Sequence, residues 1–122
     1  AKFVPLGELL KESDIVSLHI PLTEETRKMI GARELNLMKD GAFLVNTSRG
    51  AIVDEDALFK ALQSGKLGGT ALDVYESEPP TDLRLITLLN VVCTPHIGAQ
   101  TEESQKDACI RLAEKIVNLL GR

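Results

Sequence analysis

The stretch Gly41-Ala-Phe-Leu-Val-Asn-Thr-Ser-Arg-Gly-Ala-Ile-Val-Asp54 constrains this chain more than any other. It opens as a short apolar strand, Ala42 to Val45, and breaks into a polar corner, Asn46 to Gly50. A second apolar pair, Ile52-Val53, leads to a helix start at Asp54. A continuous apolar run of this length fits a strand buried on both faces, as parallel strands beneath helices are. The corner at the carboxyl end of such a strand is where open α/β sheets place their ligand chemistry. Arg49 stands in that corner, and its fork of donors suits a carboxylate or a phosphate. An isolated loop arginine is more often a solvated side chain, so the rest of the chain has to decide its role.

Taken in order, the sequence alternates strand and helix. Ala1 to Val4 is a candidate short strand, and Pro5 suits a first helical position with Leu6, Leu9 and Leu10 on one face. Ile15 to Ile20 reads as a strand closed by Pro21, after which Thr23 caps a helical turn. Arg33 to Met38 is a second short helix. Asp54 caps a third, whose stripe of Ala57, Leu58, Ala61 and Leu62 runs to a stop at Gly65. Gly68 to Val74 is the next strand, followed by a proline-rich loop over Glu76 to Thr81 and a helical turn over Asp82 to Leu89. Asn90 to Thr94 is the last strand. Thr101 begins the longest helix, where Cys109, Leu112, Ala113, Ile116, Val117 and Leu120 keep a helical period. The pattern predicts a parallel α/β sheet in a single domain.

Composition narrows the function classes. Aromatic residues are only 3% of the 122, with no Trp, so no stacking platform for single-stranded nucleic acid is available. A net charge of −4 with no basic stripe argues against nucleic acid or an anionic membrane as partner. No apolar run approaches the ~18 residues of a membrane span, and no signal-peptide pattern is present. Cys93 and Cys109 lie on different elements, form no Cys-x-x-Cys pair, and read as buried free thiols of a reducing, cytoplasmic setting. No metal-ligand set stands out.

Five segments after expected strands carry polar groups: His19-x-Pro21, Asn46 to Arg49, Asp73, Glu78-Pro79 and His96 to Ala99. Each has an unremarkable explanation alone, as a solvated histidine, a surface carboxylate or a turn cap. Their shared placement at strand carboxyl ends weakens that explanation for the set.

These segments closely resemble the D-isomer-specific 2-hydroxyacid dehydrogenases. The matching residues are His19-Ile-Pro-Leu-Thr23, Leu44-Val-Asn-Thr-Ser-Arg-Gly50, Ile52-Val-Asp54, Ala71-Leu-Asp-Val74, Glu78-Pro79 and Thr94-Pro-His-Ile-Gly-Ala99. They occur in family order over nearly the whole chain. The Ser77-Glu-Pro-Pro80 loop and the Ala61-Leu-Gln-Ser-Gly65 helix end look most like the phosphoglycerate branch.

The resemblance implies a three-layer Rossmann-like fold, a 2-hydroxyacid or 2-oxoacid substrate, and hydride exchange between substrate C2 and NAD. Arg49 would clamp the α-carboxylate and polarise the carbonyl. His96 would remove the hydroxyl proton in oxidation and return it in reduction, with Glu78 fixing its tautomer and raising its pKa. Asp73 would hold the nicotinamide carboxamide. His19, Ile20, Pro21, Thr47, Ser48, Arg49, His96, Gly98 and Ala99 would line the cofactor. The residue types agree: imidazole suits reversible proton transfer, and a planar guanidinium suits a two-oxygen anion.

The family's Gly-x-Gly-x-x-Gly turn is absent from the 122 residues, as is the acidic residue that grips the adenosine ribose. Residues 1–122 therefore read as one partial NAD-binding domain that lacks its first βαβ unit, starting on Ala1 rather than Met. NAD is not expected to bind tightly to the chain alone. In the strand order 3-2-1-4-5-6, the strand at 15–20 would have lost a neighbour, leaving an apolar open edge. Hence a homodimer is expected. Against the dehydrogenase reading stands an alternative, a catalytically silent half-domain that self-associates through that edge.

Overall fold

The computed structural model describes residues 2–121. Its elements are helix α1 (Leu6–Glu12), strand β1 (Ile15–Leu18), helix α2 (Ala32–Leu37), strand β2 (Ala42–Asn46), helix α3 (Glu55–Gln63), strand β3 (Leu67–Leu72), strand β4 (Val91–Cys93) and helix α4 (Glu102–Leu119). A single 3-10 turn, Gly50–Ile52, lies between β2 and α3. The four strands form one parallel sheet in the order β1-β2-β3-β4, so the expected α/β parallel sheet is what the chain builds.

Register explains which residues make the core. Val16 pairs with Leu44 and Leu44 with Thr70, while Leu18 pairs with Asn46 and Asn46 with Leu72. Because side chains alternate along a strand, these residues share one face of the sheet. Leu10 of α1, Leu35 of α2, and Leu58 and Leu62 of α3 join them in the buried core. Leu44, fully buried at its centre, contributes about 1.5–3 kcal/mol by leaving water. The opposite face carries Ile15, Phe43 and Val92, which remain 64%, 48% and 67% exposed. The apolar run of β2 is thus buried on its helix side and only partly on the other.

Helix boundaries follow local chemistry. The Asp54 carboxylate accepts the Ala57 N–H at 3.1 Å, satisfying one of the free donors at the start of α3. Gly65, at φ +76, turns the chain out of α3 in a conformation that costs a side chain-bearing residue strain. Thr101 caps α4 by accepting the Ser104 N–H. The apolar stripe of α4 does form a helix face, yet none of that helix is buried among the described residues. No helix among these residues is long and apolar enough to cross a membrane.

Four local expectations change, the first being that the thiols are buried: Cys93 is half-buried and Cys109 is exposed, on a helix with no packed face among the described residues. Residues 2–4 form no strand, and Phe3 is fully exposed, because no neighbouring strand is there to pair with them; Ala1 lies outside the described residues. Strand β1 stops at Leu18 rather than Ile20, since its partner β2 ends at Asn46, opposite Leu18. Residues 24–28 make a turn and not a helix. There Thr26 Oγ1 takes the Thr23 N–H and donates to the Pro21 carbonyl, and side-chain bonds of this kind compete with helix formation.

Candidate active site

The carboxyl ends of all four strands lie along one edge of the sheet, because the strands are parallel. Every polar segment singled out in the sequence leaves a strand at that edge or on the loops beyond it. His19, Ile20 and Pro21 follow β1; Thr47, Ser48 and Arg49 follow β2; Asp73 and Glu78 follow β3; His96, Gly98 and Ala99 follow β4.

The corner after β2 is built by Asn46, which is 1% exposed. Its Oδ1 accepts the Ser48 N–H at 3.1 Å and the Ser48 hydroxyl at 2.9 Å, while its Nδ2 donates to the Arg49 carbonyl at 3.0 Å. Three bonds from one amide hold the corner, and Thr47 and Arg49 on it are exposed. The Arg49 guanidinium makes one bond, to the Ser48 carbonyl at 2.7 Å, and keeps further donors free.

Gly50 lets this corner meet the loop after β3. A Cβ there would lie 1.9 Å from the Tyr75 carbonyl carbon and 2.5 Å from the Glu76 nitrogen. Only glycine allows the two backbones to touch.

From that loop Glu78 reaches His96. Its Oε2 lies 2.6 Å from His96 Nδ1, and its Oε1 accepts the Tyr75 N–H at 3.1 Å. The His96 contact first, then the Tyr75 N–H and the nearby Arg49 charge, hold the Glu78 carboxyl below the usual carboxylate range. Ionised Glu78 can only accept, so Nδ1 carries the proton of this bond. Nε2 is left as the atom available for proton exchange. A recess lined by Tyr75, Pro79, Pro80 and Pro95 adjoins the pair.

Asp73 shapes the backbone that carries His96. Its Oδ1 accepts the Thr94 hydroxyl at 2.5 Å and the Ile97 N–H at 2.9 Å, and its Oδ2 accepts the Gly98 N–H at 2.9 Å. These bonds, Thr94 foremost, lower its pKa against the opposing effect of burial. They close the turn in which His96 sits at φ +57, in the left-handed region. A side chain on Gly98 would press within 3.0 Å of the Asp73 carboxylate.

Glu78 and His96 are therefore brought into contact, Asp73 supports the turn that carries His96, and Arg49 lies on the neighbouring corner that Gly50 packs against the Glu78 loop. The His19 to Pro21 segment is not joined to them: His19 bonds to the Ser17 hydroxyl at 2.8 Å, and no hydrogen bond among the described residues links it to His96. It stands two strand spacings from β3, roughly 10 Å along the same edge. Asn46, Gly50, Tyr75 and Thr94 are positioning residues to which sequence reasoning gave no role. Asn46, Gly50 and Thr94 stood inside the matched segments without a role, and Tyr75 carried no signal beyond its place after a strand end.

Acid-base and anion-binding groups at the strand carboxyl ends of a parallel α/β sheet are the arrangement of an enzyme's ligand site. The model for the D-isomer specific 2-hydroxyacid dehydrogenase, NAD binding domain, matches residues 1–98, and the chain belongs to that family. A hydroxypyruvate reductase from Thermotoga maritima is 51% identical over 98% of this chain and 40% of its own length. A D-3-phosphoglycerate dehydrogenase from Methanocaldococcus jannaschii is 50% identical over 94% of the chain and 22% of its own length. A glyoxylate reductase from Thermococcus litoralis is 50% identical over 96% and 35%. The chain thus spans well under half of each of these relatives. Among solved structures, a D-isomer specific 2-hydroxyacid dehydrogenase from Lactobacillus delbrueckii ssp. bulgaricus, in NAD-complexed form, superposes with a TM-score of 0.90 at 38% identity, over 98% of this chain and 41% of that one.

The residues present fit part of such a cofactor. Asp73 Oδ2 receives a single N–H and keeps acceptor capacity for an amide donor such as a carboxamide. No Gly-x-Gly-x-x-Gly turn occurs in the sequence to receive a diphosphate.

Proposed function

We propose that this chain is the catalytic-side portion of the cofactor domain of an NAD-dependent D-2-hydroxyacid dehydrogenase, and that residues 1–122 form one partial domain. The Glu78–His96 pair, at 2.6 Å, carries this reading, with Arg49 on the corner that Gly50 packs against the Glu78 loop. In oxidation, His96 Nε2 takes the substrate hydroxyl proton while Glu78 keeps Nδ1–H in place and offsets the imidazolium charge. Arg49 holds the α-carboxylate through two parallel N–H bonds and draws electron density from the reacting carbon's oxygen. Bound NAD supplies the hydride acceptor. Asp73 would hold its carboxamide, and His19, Ile20, Pro21, Thr47, Ser48, Arg49, His96, Gly98 and Ala99 would line it.

Within this class the reading extends to 3-phosphoglycerate as substrate, in serine biosynthesis, on the likeness of the Ser77–Pro80 loop and the Ala61–Gly65 helix end to that branch. The relatives' names include hydroxypyruvate and glyoxylate reductases, so a substrate panel is the test. In the full-length protein, phosphohydroxypyruvate should be reduced with a higher kcat/KM than hydroxypyruvate or glyoxylate. Arg49→Ala should raise KM for every 2-oxoacid far more than it raises the Kd for NADH, since its charge-assisted pair is made with the substrate carboxylate. Equal loss of NADH affinity would contradict the clamp. The same reading includes a cytoplasmic setting, supported by the free thiols of Cys93 and Cys109, and self-association through the outer edge of β1.

A further inference from the structure

One carboxylate near the site has no part in this chemistry. Glu55 is the first residue of α3, and its Oε1 accepts the Glu76 N–H at 2.7 Å, a contact spanning 21 residues of sequence. It is half-buried, and burial pushes its carboxyl up from the ordinary range, with Glu76 and Asp82 acting the same way and the Glu76 N–H and Lys28 opposing. The peptide it grips is the one lying against Gly50, next to Arg49. One residue back, the Tyr75 N–H holds Glu78 Oε1, and Glu78 Oε2 holds His96. The Glu76 side chain is also tied down, by Lys28 at 3.3 Å. Farther along the same loop Arg84 is drawn to α3 by Asp56 at 2.6 Å and by the Phe59 ring at 5.1 Å. The start of α3 thus clamps the loop that carries Glu78.

We infer that Glu55 is a positioning residue for proton transfer: by anchoring the Glu76 peptide it sets the Glu78 carboxylate against His96. The inference rests on the proposed dehydrogenase reading. A competing role, an acidic group favouring the positive end of α3, needs only charge and no particular acceptor position. Glu55→Gln loses the charge and keeps the acceptor oxygen. Glu55→Asp keeps the charge and shortens the reach by one methylene.

The test is steady-state kinetics in the full-length dehydrogenase carrying this segment. Glu55→Ala and Glu55→Asp should lower kcat about ten- to a hundredfold, the scale of misplacing a reacting group by an ångström or so, with KM for NADH within about threefold. Glu55→Gln should stay within about threefold of the parent. The double variant Glu55→Ala/Glu78→Ala should be no slower than Glu78→Ala alone, because residues acting through one another are not additive. A kcat left within about threefold in both Ala and Asp variants overturns the inference, as do a Gln variant as slow as the Ala variant or a fully additive double variant. Should Glu55→Ala not fold, the Asp and Gln variants decide alone. His96→Ala run alongside separates the two levels: if it keeps turnover the dehydrogenase reading fails, and if it loses turnover while Glu55 variants do not, only the positioning role fails.

Discussion

At the scale of single residues, the site is a set of carboxylates that hold other groups in place. Asp73 takes three hydrogen bonds, from Thr94, Ile97 and Gly98, and these keep its pKa below the ordinary carboxylate value. A carboxyl depressed in the folded state adds stability that is fully present above its unfolded pKa, about 3.9, and is lost as pH falls through the lower folded value. Asp73→Asn should therefore be less stable in urea above about pH 5, and the gap to the parent chain should narrow below about pH 4. A gap that stays constant down to about pH 3 would show that Asp73 draws nothing from these bonds. The placement of Arg49, Asp73, Glu78 and His96 after strand ends was legible in the sequence, and the structure has them there. The work of Thr94 was not, because its partner Asp73 lies 21 residues away in sequence. The Asn46 side chain, by contrast, bonds to Ser48 and Arg49 beside it, a local turn that its position allowed.

At the scale of elements, patterns carried by neighbours in sequence read well, and those set by distant partners did not. The Asp54 cap, the Gly65 stop and the Thr101 start of α4 depend only on nearby residues, and each stands where local chemistry puts it. The end of β1 depends on where β2 stops, and the chain before α1 on a partner strand that residues 2–4 do not meet. Gly50 shows the same division. The sequence places it after an arginine in a turn, but its function is to let two loops touch. Gly50→Ala forces a methyl against the Tyr75 backbone and should cost about 1–3 kcal/mol or more in urea denaturation. A loss under about 0.5 kcal/mol would mean that the loops part easily, and that Arg49 is not held against the Glu78 loop.

At the scale of the whole molecule, the helix-covered face is a packed core and the other surfaces await cover. Among the described residues strand β1 has one hydrogen-bonded neighbour, the reverse face shows Ile15, Phe43 and Val92, and α4 exposes Leu112, Ile116 and Val117. Unpaired strand edges next to apolar surface invite another chain. The chain alone should sediment as a dimer at tens of micromolar, and Ile15→Lys should shift it toward the 13.3 kDa monomer. A monomer at all concentrations would contradict pairing at this edge. With no Gly-x-Gly-x-x-Gly turn in its sequence, the chain alone should also fail to oxidise NADH with any 2-oxoacid; measurable turnover would contradict the partial-domain reading.

In the proposed reaction His96, steadied by Glu78, moves the proton. The most direct measurement is single-turnover NADH oxidation by the full-length protein at saturating 2-oxoacid, comparing the parent with His96→Ala. Loss of a general acid-base group predicts a rate roughly two to four powers of ten lower, with NADH still bound. A rate within about threefold of the parent, under ~1 kcal/mol of barrier, would contradict the account.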